Sequence, residues 1–155
     1  MMRRKPYFPE IPGAPKPLRE SIRGRVRFEE VDFMRIVWHG RYISYFEEAR
    51  VAHGRKYGIG YADFIERRCP APIKRLEVDY IKPLQFDEAY VVEAMLHWTE
   101  AARINYEFRV SNGAGELVCT GCSVQLMLDQ DLSLLLSPPP FYQAFLEKWR
   151  AGELE

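Results

Sequence analysis

Three cysteines in 155 residues, Cys69, Cys119 and Cys122, are few and odd in number. That excludes a disulfide framework and fits a reducing, cytoplasmic setting. No apolar run approaches the ~20 residues that cross a bilayer, so no membrane span is expected. Charge of neither sign is in excess: 22 basic side chains face 22 acidic ones. This argues against a nucleic-acid partner, whose binding proteins carry a basic surplus. His39, His53 and His97 lack any metal-ligand spacing. Cys119-x-x-Cys122 lies in a strand-like stretch, where residues three apart point to opposite faces, so no metal site is expected. Also missing are a G-x-S-x-G elbow and the glycine-rich loops that cradle nucleotides. The basic start, Met1 to Lys5, looks like the n-region of a signal peptide. The prolines from Pro6 to Pro17 follow it in place of an apolar h-region, so no secretion signal is read.

What is present is one domain's worth of apolar residues, 47% of the chain, enough for a sizeable core. Residues 1–20 read as an N-terminal arm: Pro6, Pro9, Pro12 and Pro15 recur at the period of a polyproline II helix. Residues 21–155 form the domain. In 22–28, Ile22, Gly24, Val26 and Phe28 alternate with Arg23, Arg25 and Arg27, which predicts a half-buried strand. A connection or short helical turn over 29–38 carries Asp32. A helix is expected over 40–57, with Tyr42, Tyr45, Phe46, Ala49, Ala52 and His53 on its apolar face and Glu47, Glu48, Arg50, Arg55 and Lys56 on its charged one. Gly58 and Gly60 end it.

Four more alternating stretches follow, at 73–82, 89–98, 103–110 and 116–128. Asn112-Gly113-Ala114-Gly115 is a hairpin signal between the last two. In the last stretch Val118, Cys122, Val124, Leu126 and Leu128 are expected to share a face. Pro138-Pro139-Pro140 leads into a short helix with Phe141, Phe145 and Trp149 on one stripe. One strand, one long helix and four strands make an α+β domain with an antiparallel sheet.

The chemistry concentrates between Val31 and Arg50. Asp32 precedes the long helix, and His39 and Gly40 stand at its start. The first N–H groups of a helix have no partner within it, and its dipole favours negative charge there. A thioester carbonyl placed at such an end is polarised, with the Asp32 carboxylate close to its carbon. Taken alone, an Asp in this position is an ordinary turn or cap residue.

Asp32, Ile36-Val37, His39, Tyr42 and Glu47 to Arg50 resemble the signature D-x-x-G-[IV]-V-[YW]-H-x-x-Y-x-x-[YF]-x-E-x-A-R. This is the signature of hot-dog-fold acyl-CoA thioesterases of the 4-hydroxybenzoyl-CoA thioesterase-like family, and the resemblance spans roughly residues 22 to 128. It implies a hot-dog fold, a five-stranded antiparallel sheet wrapped around the long helix, with the short C-terminal helix added. It implies hydrolysis of an acyl thioester, carried by coenzyme A or acyl carrier protein, to an acid and a thiol. Asp32 is then the nucleophile or general base, and the backbone at His39 is the oxyanion donor.

No cofactor beyond the coenzyme A of the substrate is implied. Arg35, Trp38, Gly40 and Tyr42 are expected around the thioester, and Lys74, Arg75 and Arg103 near the phosphates of coenzyme A, with Arg67, Arg68 and Lys82 as other cations. Relatives form homodimers, often doubled to tetramers. Arg35 replaces the glycine of the signature, which points to an altered pocket entrance and to a cation near Asp32. Two other readings keep the fold: a non-catalytic acyl-thioester binding protein, and a hot-dog dehydratase or hydratase. The His-centred motif of the latter is missing here.

Overall fold

The alternating stretches pair into a single five-stranded antiparallel sheet in a computed structural model that describes residues 5–154. The strands are β1 (Leu18–Arg25), β2 (Ile73–Tyr80), β3 (Ala89–His97), β4 (Arg103–Asn112) and β5 (Leu117–Leu126), ordered β1-β3-β4-β5-β2. The helices are α1 (Arg41–Tyr57), α2 (Tyr61–Glu66) and α3 (Pro140–Arg150). Residues 1–4, part of the arm expected from the sequence, lie outside the described residues.

The helix α1 forms where the three- and four-residue apolar spacing predicts it, and it buries Tyr42, Tyr45, Phe46, Ala49 and His53 against the sheet. Phe46 stacks on Phe108, and Tyr45 on Tyr90. Gly58, at φ 72°, ends the helix in the left-handed conformation that glycine adopts at least cost. One helical residue departs from expectation. Arg50, read as part of the solvated face, is buried, because Gln125 and Glu47 reach its guanidinium.

The sheet departs from the sequence reading in two places. The first strand begins at Leu18, four residues early, and stops at Arg25, so Phe28 lies in a short 3-10 turn and is 80% exposed rather than facing inward. In β5 the helix-facing residues are Cys119, Gly121, Ser123 and Gln125, opposite Val110, Phe108, Tyr106 and Ile104. Of the set expected to share a face, Cys122 and Val124 lie on the other side of the strand, whereas Val118, beside the register shift, packs into the core. The physical reason is the closeness of α1: a Cβ on Gly121 would stand 2.5 Å from the Phe46 ring, and Gln125 is there to meet Arg50. A register shift at Val110/Ser111 accommodates the change.

The outer sheet face is covered in part by the arm. The Tyr7 hydroxyl lies 2.7 Å from Thr120 Oγ1 and donates to Asp79, and Phe8 packs on His97 at 5.1 Å. The arm is not one continuous polyproline helix. It turns at Ile11-Pro12-Gly13-Ala14, with Gly13 at φ 76° and the Ala14 N–H on the Ile11 carbonyl. On the same outer face Glu107 is held by His97 and Arg109, each at 3.1 Å. Burial would raise its pKa, but the His97 bond and both neighbouring charges hold it below the ordinary value.

Helix α3 buries Tyr142, Phe145, Leu146 and Trp149, with Phe141 half-buried, and the Trp149 indole N–H donates to Lys16 O. Among the described residues no helix is long and apolar enough to cross a membrane.

Candidate active site

Asp32 sits on a tight reversal. Val31 and Val37 bridge antiparallel, the Asp32 N–H donates to Ile36 O at 2.9 Å, and the Arg35 N–H donates to Asp32 O at 2.9 Å. The Asp32 side chain closes the turn from within by accepting the Met34 N–H on Oδ1 at 2.8 Å. Such a three-residue loop needs its last residue left-handed. That residue is Arg35, at φ 62°, which explains the glycine of the family signature as a demand of the backbone. Arg35 itself is exposed, and among the described residues it forms no ion pair with Asp32. Phe33 (95% exposed) and Met34 present apolar side chains at the tip of the turn, while the Asp32 carboxylate is half-buried.

From the turn the chain runs through Val37, whose N–H donates to Leu84 O, and Trp38, whose N–H donates to Glu30 O. The helix then begins with Gly40 as N-cap and no capping side chain. The Trp38 ring lies over Gly40: a Cβ there would come within 2.4 Å of it, so a larger residue would push the half-exposed indole aside. Among the described residues, the N–H groups of His39 and Gly40 make no hydrogen bond. They are unspent donors at the positive end of a 17-residue helix. The His39 imidazole is exposed and lies 5.0 Å from the Trp38 indole, while its carbonyl accepts the Tyr80 hydroxyl at 2.7 Å. Asp32 and His39 do not bond to each other; they stand at opposite ends of the leg that joins turn to helix.

Tyr42 is buried behind this helix start, with its hydroxyl bonded to the Leu84 backbone and its ring against Tyr45 and Tyr80. Burial pushes its pKa up to about 12. Two residues of this region escaped the sequence reading. Tyr80 ends the alternation of β2 and ties His39 in place. Glu30, a carboxylate the sequence reading did not single out, is 3% exposed and accepts the Arg27 N–H at 2.8 Å. Burial first, and the Glu30 carboxylate second, push the nearby Tyr45 hydroxyl far above its ordinary pKa. Nothing in the local sequence signals that burial.

The candidate phosphate cations gather elsewhere. Lys74 and Arg75 begin β2 and Arg103 begins β4, at one end of the sheet, while Tyr80 and His39 are at the other. Six residues of strand separate Lys74 from Tyr80, roughly 20 Å. Arg75 is bonded to Glu77, Lys82 is paired with Glu116, and Arg67 lies over the Phe141 ring. Arg68 borders a separate cavity under α2.

Cys119 and Cys122 take opposite faces of β5, and all three cysteines are buried thiols. Burial, and then the Glu77 carboxylate, push the Cys122 thiol up to about 11. Among the described residues no group of three His, Cys, Asp or Glu side chains is placed to hold a metal.

A five-stranded antiparallel sheet packed on one long helix is the hot-dog fold. A profile of the thioesterase-like superfamily matches residues 26–148, and the chain belongs to that superfamily. It is similar to the putative acyl-CoA thioesterase YneP of Bacillus subtilis, 29% identical over 120 residues, 77% of this chain and 85% of that protein. It is 30% identical over 87 residues to the acyl-CoA thioesterase YbgC of Haemophilus influenzae, 56% of this chain and 64% of that one. Among solved structures, a DHNA-CoA thioesterase from Staphylococcus aureus aligns with a TM-score of 0.76 at 25% identity, covering 87% of this chain and 93% of its own.

Proposed function

We propose that the protein hydrolyses acyl thioesters of coenzyme A, with the Asp32 carboxylate as the reacting group and the uncapped N–H groups at the start of α1 as donors to the thioester oxygen. The observation that carries this reading is Asp32 itself, pinned by its own turn through Oδ1 and half-open to solvent on the leg that leads into that helix start. The donors stabilise the oxyanion as the carbonyl becomes tetrahedral. Two routes start from the same carboxylate. It attacks the carbonyl to give a mixed anhydride that water then opens, or it takes a proton from an attacking water. A single turnover in ¹⁸O-water probes the first, because only a mixed anhydride opened by water at the Asp32 carboxyl carbon leaves enzyme oxygen in the product.

The exposed Phe33, Met34 and Trp38 around the turn favour an apolar acyl group. Arg35 stands among them, so Arg35→Gly is expected to shift the acyl preference; an unchanged preference removes Arg35 from substrate selection. Lys74, Arg75 and Arg103 are too far along the sheet to meet a carbonyl at His39. They suit the phosphates of coenzyme A only through the length of the pantetheine arm or across two chains.

A homodimer joined along β2 is part of the proposal. β2 is an edge strand, and its helix-side residues Leu76 and Tyr80 remain 39% and 53% exposed. Sedimentation of the native chain against Leu76→Lys tests it. The activity is tested by thiol release from short, long and aromatic acyl-CoAs, with the native chain beside Asp32→Asn. Turnover that collapses in the variant supports the assignment; acyl-CoA bound without turnover defeats it, and acyl carrier protein thioesters become the next substrates.

A further inference from the structure

A cavity of about 570 Å³ opens between α1, α2 and the ends of β4 and β5, away from the residues of the candidate active site. That is the size of a small-molecule pocket. Its body is apolar: Ile59, Phe64, Ile65, Cys69, Ala71 and Ile104 line it. Neither Asp32 nor any residue of the α1 start is in its wall. Arg50, which is in it, lies ten residues past Gly40, roughly 15 Å along the helix.

The polar part of the wall carries charge of one sign. Arg50 and Arg68 are both in the lining, and no carboxylate is. Arg50 is 7% exposed and held in a built arrangement. One terminal nitrogen donates to Gln125 Oε1 at 2.6 Å. The other donates to Glu47 at 2.6 Å and contacts the Tyr61 hydroxyl, while the Nε has no partner. Gln125 is itself fixed by its bond to Ala71 O at 2.7 Å. Glu47 balances one of the two cations from outside the lining. Arg68, on the exposed side, forms no ion pair among the described residues. An apolar cavity with a fixed, buried guanidinium, a second unpaired one and no acid in its wall selects an apolar anion.

We propose that this cavity is a second ligand site that binds a small apolar carboxylate, an alkyl or aryl acid. Its apolar body rests on Phe64, Ile65 and Ile104, and its carboxylate is held by Arg68 and Arg50. The site is separate from the thioester site and does not depend on hydrolysis.

Calorimetric titration of the native protein with octanoate and with octanamide, equal in length and differing in charge, tests this directly. Octanoate is expected to bind once per chain and at least about ten-fold tighter than octanamide, the gain of a charge-assisted contact. Arg68→Gln should shrink that gap several-fold and leave octanamide binding unchanged. Ala71→Phe and, independently, Ile65→Trp fill the cavity and should abolish binding of both, with unaltered acyl-CoA turnover showing that each variant is folded. Asp32→Asn should bind octanoate as the native chain does. The proposal is overturned by any of four results: no octanoate binding, equal affinity for both ligands, binding that survives both filled-cavity variants, or binding lost in Asp32→Asn, which would place the acid at the thioester site.

Discussion

At Asp32 the chain reverses with the Asp32 N–H on Ile36 O, the Arg35 N–H on Asp32 O and the Met34 N–H on the Asp32 carboxylate. At Asn112 it reverses the same way: the Asn112 N–H on Glu116 O, the Gly115 N–H on Asn112 O and the Ala114 N–H on the Asn112 side-chain oxygen. The first position accepts the same bond in both turns, so Asp and Asn serve alike as that acceptor and differ in charge, although the Asn112 oxygen also accepts the Glu116 N–H at 2.9 Å. The left-handed position is Gly115 at φ 80° in one turn and Arg35 at φ 62° in the other. The Asn112 turn joins two long strands whose ladder holds it in place. The Asp32 turn has only isolated bridges around it, and it still keeps a side chain where glycine would rest more easily. What separates the turns is therefore a negative charge and a strained backbone, both at the candidate site.

The largest expected effect follows from that equivalence. Asp32→Asn keeps the turn, as Asn112 does in its own, and removes the charge. Thioester hydrolysis should fall by about 10²- to 10⁴-fold at an unchanged melting temperature. A variant that melts early would break the comparison, because the two side chains would then not be interchangeable as structure.

Acid pH must be kept apart from that test, because His53 titrates with the fold. Its ring is fully buried between Leu18 O and the Tyr106 hydroxyl, and burial lowers its pKa to about 4 from 6.5. The unfolded chain takes up a proton near pH 6.5 and the folded chain does not until about pH 4. Stability is therefore complete above about pH 6.5 and declines as pH falls toward 4, by up to about 3 kcal/mol. Thermal melts across that range should show the decline, and His53→Gln should flatten it. A native melting temperature level from pH 7 to about pH 4.5 would contradict the burial argument.

Exchange at the left-handed position probes the strain. Gly115→Arg should cost about 1 kcal/mol and Arg35→Gly should gain up to that amount in denaturant unfolding. Opposite signs in the two turns sharpen the comparison; no change at either removes strain from it. The smallest effect is expected from His39→Ala. If the backbone N–H is the donor, activity should drop less than about ten-fold, whereas a collapse comparable to Asp32→Asn would assign the imbalance to the imidazole.

The two turns also show how far the sequence is legible. Asn-Gly-Ala-Gly between alternating stretches announces a hairpin, and the structure has one. The reversal at Asp32 reads only as a connection or short helical turn, because Arg35 hides the glycine that marks such a reversal. Helix α1 was legible from apolar spacing and Gly58, and the five strands from alternation, since both periods follow from backbone geometry. The acid at Asp32 and the helix start at Gly40 stood out as a motif, whereas Tyr80, Glu30 and Arg50 did not. Each of those three is placed by a partner far away in the chain or by burial that its neighbours in sequence do not reveal.

By itself the sequence determined the periodicities, the element order, the turn formers and the spacing of Asp32 from the helix, all of which are local. The tertiary structure alone decided which face of β5 meets α1, that Arg50 and Glu30 are buried, and that Lys74, Arg75 and Arg103 lie a strand's length from His39. It also decided that a cavity forms under α2. These depend on how closely helix and sheet approach and on which strands become neighbours, and long-range packing sets both.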